Sequence, residues 1–361
     1  MIVKKIDRLK RSIILVPENT LDLLNIFRLV GLNDIVYSES SREVKKERAD
    51  GRYDSERVLV TLGVEVEKKI VDPLLRRIGF SGRIIYESKK LDLVGKYHTI
   101  YVHPSLEIKI ESRERFNRLY SFSLNYVEKK ERKKILCVTL DNEGVAVAEF
   151  SNIGLKMLYS KSISPKSKML EDLHDSNMHE SFYEVVKLVE KMLKEEDFEI
   201  VILGSSISVE EFMKFLKKNA VKLLNKIVKR GYTSLGREEG LREALRSGEL
   251  KDYAEELKPV RDSLEVEEFI KRMSENPEKV ALGLREVLES LKMKNVEKVL
   301  VAEQFLWEKI VEEEVATLLD EVERGKLNLR VILDGLEASE KILGLGGVVA
   351  TLYYPLKLSR T

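Results

Sequence analysis

Residues 57–67 read Arg57-Val58-Leu59-Val60-Thr61-Leu62-Gly63-Val64-Glu65-Val66-Glu67. The run is rich in β-formers and reads as a strand. Similar short runs lie at Arg11–Leu15, Asp34–Ser38, Gly82–Ser88 and His98–Val102, mostly bounded by Gly, Asn, Asp or Pro. One helix is predicted over Leu21–Val30, where Leu23, Leu24, Phe27 and Val30 recur at helical spacing and Asn19 or Thr20 can cap it. A second is predicted over Pro73–Ile78, stopped by Gly79. Many short strands with few helices suggest a small barrel over residues 1–130. The charged stretch Ser112–Lys134 reads as a linking segment.

Further along, Lys134–Leu140, Val145–Phe150 and Leu155–Ser160 read as strands, with a turn at Asp141-Asn142-Glu143-Gly144. Ser162–Asn177 reads as a polar loop and Ser181–Lys194 as an amphipathic helix. A strand over Ile200–Leu203 is followed by helices predicted at Val209–Lys217 and Val221–Lys229. From Gly231 on, helices are expected at Arg237–Arg246, Leu264–Glu275, Val280–Lys292 and Phe305–Arg324. Strands are expected at Val296–Ala302, Leu329–Leu333 and Val348–Tyr354. This alternation favours α/β sheets covered by helices. The division is therefore 1–130, 131–230 and 231–361, which suits 361 residues at roughly 100–200 per domain.

Composition narrows the function. No apolar run approaches the roughly 18 residues of a membrane helix. The first residues lack a signal-peptide pattern, so a soluble cytoplasmic protein is expected. A single cysteine, Cys137, excludes an intrachain disulfide framework and any multi-cysteine zinc site. It lies in an apolar strand and reads as an inert buried thiol. Abundant Lys and Glu with a lone glutamine, Gln304, fit a high growth temperature. The near-neutral total hides an asymmetry: residues 1–130 carry a net +7, residues 131–230 +1 and residues 231–361 −7. A basic module suits a polyanion such as RNA, and an acidic one more often meets a protein.

No Walker-type phosphate loop is present, and Gly344-x-Gly346 leads into a strand, so it reads as a glycine turn. His174 and His179 are five apart, which does not align two ligands on a helix face. His98 reads as a structural histidine. The basic stretch 41–57 is more informative. Arg42, Lys45, Lys46, Arg48, Arg52 and Arg57 surround a loop tip at Gly51, where they could reach phosphates while Tyr53 stacks on a base. Interleaved Glu and Asp leave open a plain solvated hairpin.

In order and spacing, the chain resembles the archaeal Pelota family of release-factor-like ribosome rescue proteins over essentially its whole length. Asp22-Leu23-Leu24-Asn25-Ile26-Phe27 resembles a family helix, with Leu24 where Trp is usual and Phe27 where Tyr is usual. Asn33-Asp34-Ile35-Val36, Ser40-Ser41-Arg42-Glu43-Val44 and Gly95-Lys96-Tyr97-His98-Thr99-Ile100 are similar to further blocks. So are Gly236–Leu241, Ala281–Leu284 and Leu343–Ala350. Ser205-Ser206-Ile207 stands where the family has Pro-Gly-Phe, Glu43 replaces a usual Lys, and the central loop keeps only Lys166 and Lys168 of a commonly basic segment.

The resemblance implies an N-terminal Sm-like RNA-binding β-barrel followed by two α/β domains, a mixed α+β and α/β multidomain chain. The central domain would be the counterpart of the release-factor domain, and the third would dock a translational GTPase. Expected partners are the ribosome and mRNA, an elongation-factor-1-alpha-like GTPase and a recycling ABC ATPase, engaged by a monomer with no cofactor required for binding. Peptide release by a Gly-Gly-Gln loop is excluded by the residues themselves. The lone glutamine is Gln304, and the Gly346-Gly347 pair is followed by Val348. An alternative is a metal-dependent endoribonuclease in the first domain, needing a divalent cation held by carboxylates such as Asp34, Glu39, Asp50, Asp54 or Glu56.

Overall fold

The computed structural model describes residues 1–47, 53–127, 133–163, 171–323 and 328–355. Two compact units result: Met1–Lys130 with Leu306–Glu312, and Glu131–Phe305 with Glu313–Thr361.

The first unit runs β1 (Ile2–Asp7), β2 (Ser12–Val16), α1 (Thr20–Leu29), β3 (Ile35–Glu47), β4 (Tyr53–Asp72), β5 (Arg77–Glu87), β6 (Tyr97–Val102), β7 (Ile108–Glu111) and α2 (Phe116–Val127). The strands form one antiparallel sheet in the order β1-β2-β7-β3-β4-β5-β6. Alternation does the sorting. Val60, Leu62, Val64 and Val66 turn to the same buried side as Ile78, Phe80, Ile100 and Val102. Leu23, Leu24, Ile26 and Phe27 of α1 are buried too, and the Asn19 side chain caps that helix by accepting from the Asp22 N–H at 2.8 Å.

Two expectations fail in this unit. Residues 73–76 form the turn between β4 and β5, not a helix. Asp72 accepts from the Leu75 N–H at 3.1 Å and from Arg77 Nε at 2.9 Å, and Arg76 takes φ +46°, so the turn closes before a helix can start. The charged segment 112–134 contains α2, whose Phe116 and Leu119 are buried while the Ser112 hydroxyl accepts from the Arg115 N–H at 3.0 Å. Its many cations obscured an amphipathic pattern.

The second unit contains two sheets. The first is built from β8 (Ile135–Asp141), β9 (Gly144–Ser151), β10 (Gly154–Ser162), α3 (Glu171–Glu195), β11 (Glu199–Gly204), α4 (Ser206–Asn219) and β12 (Ile227–Tyr232). Its order is β10-β9-β8-β11-β12, with β11 parallel to both β8 and β12. Phe182, Val185 and Val189 of α3 join Phe212, Phe215 and Leu216 of α4 in its core. The polar loop expected over 162–177 is helical from Glu171. The helix expected over 221–229 is a 3-10 turn, Val221–Lys226, leading into β12. Parallel pairing with β11, in which Ile200 faces Ile227, overrides the local helical pattern.

The second sheet follows α5 (Arg237–Ser247) and α6 (Lys258–Glu275), and comprises β13 (Val280–Leu282), α7 (Gly283–Lys292), β14 (Val296–Ala302), α8 (Glu303–Lys309, which from Leu306 on falls in the first unit), α9 (Glu313–Glu323), β15 (Leu329–Ile332), α10 (Glu337–Gly344) and β16 (Val348–Leu352). Its order is β13-β16-β14-β15. The expected helix 280–292 starts instead as β13, paired to β16, and turns helical at Gly283 with φ +75°. The long helix expected over 305–324 is two, α8 and α9, separated where the Glu312 N–H bonds back to the Lys309 carbonyl at 2.9 Å. α10 was not anticipated.

Candidate nucleic-acid interface

β3 and β4 pair without a break from Ile35↔Glu65 to Glu47↔Tyr53. Pairing of β3 with β7 covers only Ile35–Tyr37, and pairing of β4 with β5 covers Leu62–Asp72. Beyond Thr61, whose carbonyl accepts from the Ser88 N–H at 3.0 Å, residues 40–47 and 53–60 pair in the sheet only with each other, as a two-stranded ribbon continuing from it. Arg42, Lys45, Lys46 and Tyr53 lie along its backbone, opposite Val58, Ser55, Asp54 and Glu47 respectively. Arg57 is opposite Glu43 and exposed. Arg48 and Arg52 lie outside the described residues, as do Lys166 and Lys168 of the central loop. By backbone register, Arg42, Lys45, Lys46, Tyr53 and Arg57 share this ribbon.

The rest of the sheet face differs. Lys109 lies 4.3 Å from the Tyr37 ring centre but pairs with Glu111 at 3.3 Å. Arg77 sits 4.2 Å from the Tyr101 ring centre and pairs with Asp72 at 2.9 Å. The Tyr97 hydroxyl donates to Glu67 at 2.9 Å. Burial, reinforced by Glu111, pushes the Tyr37 hydroxyl up to about 12. Both of these cations are matched by carboxylates, so these contacts staple neighbouring strands together.

The carboxylates considered for a metal divide. Asp34 is buried and accepts from the Gly31 N–H at 2.8 Å, holding the turn before β3. Glu39 is exposed on β3. Asp50 lies outside the described residues, and Asp54 and Glu56 are placed only by their backbone register opposite Lys46 and Val44. Among the described residues no group of three or more His, Cys, Asp or Glu could hold a metal ion. His179 lies on α3, its ring edge-on to Phe215 at 5.8 Å, not in a loop; His174 is on the same helix. Cys137 is fully buried, and burial pushes its thiol well above its ordinary value. Among the described residues no helix is long and apolar enough to cross a membrane.

Where the β8–β9 turn meets the start of α5, the structure shows a joint that the sequence did not reveal. The Asp141 carboxylate accepts from the Gly236 N–H at 2.6 Å and the Glu143 N–H at 2.7 Å, and the Thr139 hydroxyl donates to the Arg237 carbonyl at 2.6 Å. Arg237 adopts φ +51°. A turn at 141–144 was legible, but its partner lies 95 residues away. A cleft of about 290 Å³ near Leu155, Leu241 and Leu336 is also in this unit. Two of its three lining cations are matched, Lys341 by Glu267 at 2.5 Å and Arg246 by Glu337 at 3.6 Å, while Arg242 is exposed at its edge. The two halves of a Gly-Gly-Gln are far apart in role. Gln304 opens α8, its N–H donating to Asp334 at 2.9 Å, whereas Gly346 and Gly347 form the turn into β16 with φ +99° and +79°.

Comparison with known proteins completes the picture. The Pelota N-terminal domain family matches residues 1–128, and the family described as eRF1 domain 3 matches residues 260–356. A protein pelota homolog of Thermofilum pendens is 28% identical over 346 residues, 95% of this chain and 96% of the relative. The first 128 residues of the chain thus match the Pelota N-terminal domain family, and the chain is similar to pelota homologs along nearly its whole length. A second pelota homolog, from Pyrococcus furiosus, is 26% identical over 339 residues, 93% of this chain and 94% of that one. The crystal structure of the Thermoplasma acidophilum Pelota protein shares the fold with a TM-score of 0.62 at 15% identity, covering 99% of this chain and 100% of that one. Against the Pelota pattern, Leu24 and Phe27 fill buried α1 positions, and Ser205 caps α4 by accepting from the Ser208 N–H at 3.2 Å. Two family blocks meet: a Cβ on Gly346 would fall 3.0 Å from Gly283 Cα.

Proposed function

We propose that this chain recognises stalled ribosomes and promotes their dissociation and mRNA surveillance, together with an elongation-factor-1-alpha-like GTPase and a recycling ABC ATPase. It works as a cytoplasmic monomer and does not hydrolyse peptidyl-tRNA. Residues 1–130 serve as an Sm-like RNA-binding domain, residues 131–230 as a release-factor-like domain without Gly-Gly-Gln, and residues 231–361 as the GTPase-docking domain. The carrying observation is collinear likeness to pelota homologs over 95% of the chain, in a sequence whose lone glutamine is on α8. The ribbon supports it: a cation-bearing hairpin projecting from a sheet can follow an RNA groove that a flat, charge-matched face cannot.

The test is co-sedimentation with stalled ribosomes over a salt series. Lys45→Glu/Lys46→Glu should weaken binding and flatten its salt dependence by about one unit of slope per lost phosphate contact. Binding identical to wild type at every salt concentration would refute the assignment of the ribbon. The endoribonuclease alternative draws no specific support from Asp34, which is committed to its turn.

A further inference from the structure

The segment Lys214–Lys222 holds four lysines, Lys214, Lys217, Lys218 and Lys222, and no carboxylate. All four are exposed, and among the described residues none forms an ion pair. Their neighbours behave differently: Lys226 pairs with Asp197 at 2.5 Å and Lys229 with Asp252 at 2.8 Å. The carbonyl end of α4 accounts for Lys217 and Lys218, which lie in its last turn. It does not account for Lys214, a turn earlier, or for Lys222, beyond the helix in the 3-10 turn. Lys214, Lys217 and Lys218 stand at i, i+3 and i+4, so they share one helix face.

The base beneath them is stiff. Phe212 and Phe215 pack on Phe182 of α3 with ring centres 4.9 and 5.4 Å apart. Tyr183, half exposed, lies edge-on to Phe215 at 4.7 Å, and its hydroxyl donates to the Asn219 side chain at 3.1 Å. A tyrosine and an amide therefore border the unpaired cations.

We infer that this face of α4 and its following turn is a second polyanion contact, for the phosphate backbone of duplex RNA. Lysines are point charges without the planar fork that reads base edges, so the contact is independent of sequence. Lys is depleted at protein–protein interfaces, which take aromatic and arginine anchors. That favours RNA over an acidic protein. The inference rests on the ribosome reading for the source of that RNA and extends it to a surface remote in sequence from the ribbon.

The full chain is titrated against a fluorescein-labelled RNA duplex by anisotropy across a potassium chloride series. Lys217→Gln/Lys218→Gln/Lys222→Gln should lose at least tenfold in affinity at low salt. Its slope of log affinity against log salt should fall by about 2–3, at about 0.9 per neutralised phosphate. The corresponding Lys→Arg triple variant should keep both. Unchanged affinity and slope in the Gln variant, or polyglutamate competing as well as RNA, overturns the inference. Stalled-ribosome co-sedimentation of the same proteins separates the two readings. RNA binding through these lysines by a wild-type chain that ignores ribosomes sinks the ribosome reading alone. Ribosome binding by a chain whose Gln variant still holds RNA as wild type sinks only this one.

Discussion

Replacing Asp262 by Ala should be among the most damaging single changes in the second unit. Asp262 is 2% exposed, and its two carboxylate oxygens each accept from Lys258 Nζ at 2.8 Å. One of them also accepts from the Leu333 N–H at 3.0 Å, while Lys258 donates to the Val331 carbonyl. The pair thus ties α6 to the end of β15. Burial pushes Lys258 down and Asp262 up, so each group's charge depends on the other. Removing one partner of a buried pair costs about 3–5 kcal/mol, because the other charge stays buried without compensation. The orphaned Leu333 N–H adds about 1–3 kcal/mol. The expected loss for Asp262→Ala is therefore about 4–8 kcal/mol. Lys258→Met/Asp262→Leu removes both charges and leaves the Leu333 N–H and the Val331 carbonyl without their side-chain partners, so it should lose about 1–3 kcal/mol, less than the single variant. Guanidinium unfolding followed by circular dichroism gives both losses relative to wild type, and exchange of the Leu333 amide reports the site directly. A single variant costing under about 1 kcal/mol, or a double variant as unstable as the single, would refute the reasoning.

Other outcomes follow from the same geometry. Burial alone would raise the Glu243 carboxyl, but the Ser234 and Leu235 N–H groups outweigh it and hold the group below its ordinary value. That stabilisation is present above the unfolded value near 4.3 and is lost as pH falls through the lower folded value. The stability gap between wild type and Glu243→Gln should therefore shrink on acidification, and a constant urea midpoint difference down to low pH would contradict this. Phe182→Ala, in the α3–α4 aromatic cluster, should cost about 3–5 kcal/mol in urea unfolding. Gly82→Ala would put a Cβ 1.8 Å from the Glu65 carbonyl oxygen, so β4–β5 pairing should weaken, with faster amide exchange on both strands.

Much of the fold was legible because local patterns agreed with tertiary demands. The strand 57–67 and the helix over Leu21–Val30 carry their burial in their own periodicity, and both occur where expected. Where the reading failed, a distant partner decided. β12 exists because β11 offers a parallel edge, β13 because β16 does, and the 73–76 turn because Asp72 gathers donors across it. α2 and the first turns of α3 were hidden by charge, since a helix on the surface needs only a narrow apolar stripe.

Residue identity alone settled the absence of a Gly-Gly-Gln tripeptide, the single thiol and the basic-to-acidic gradient, because these depend on counting and adjacency. The ribbon's cations were legible too, yet their reach beyond the sheet depends on where β7 and β5 stop pairing. Which lysines lack a carboxylate partner, and which acid becomes a joint such as Asp141, was settled by tertiary structure. Electrostatic pairing depends on distances across the fold, and those exist only once strands far apart in sequence lie side by side.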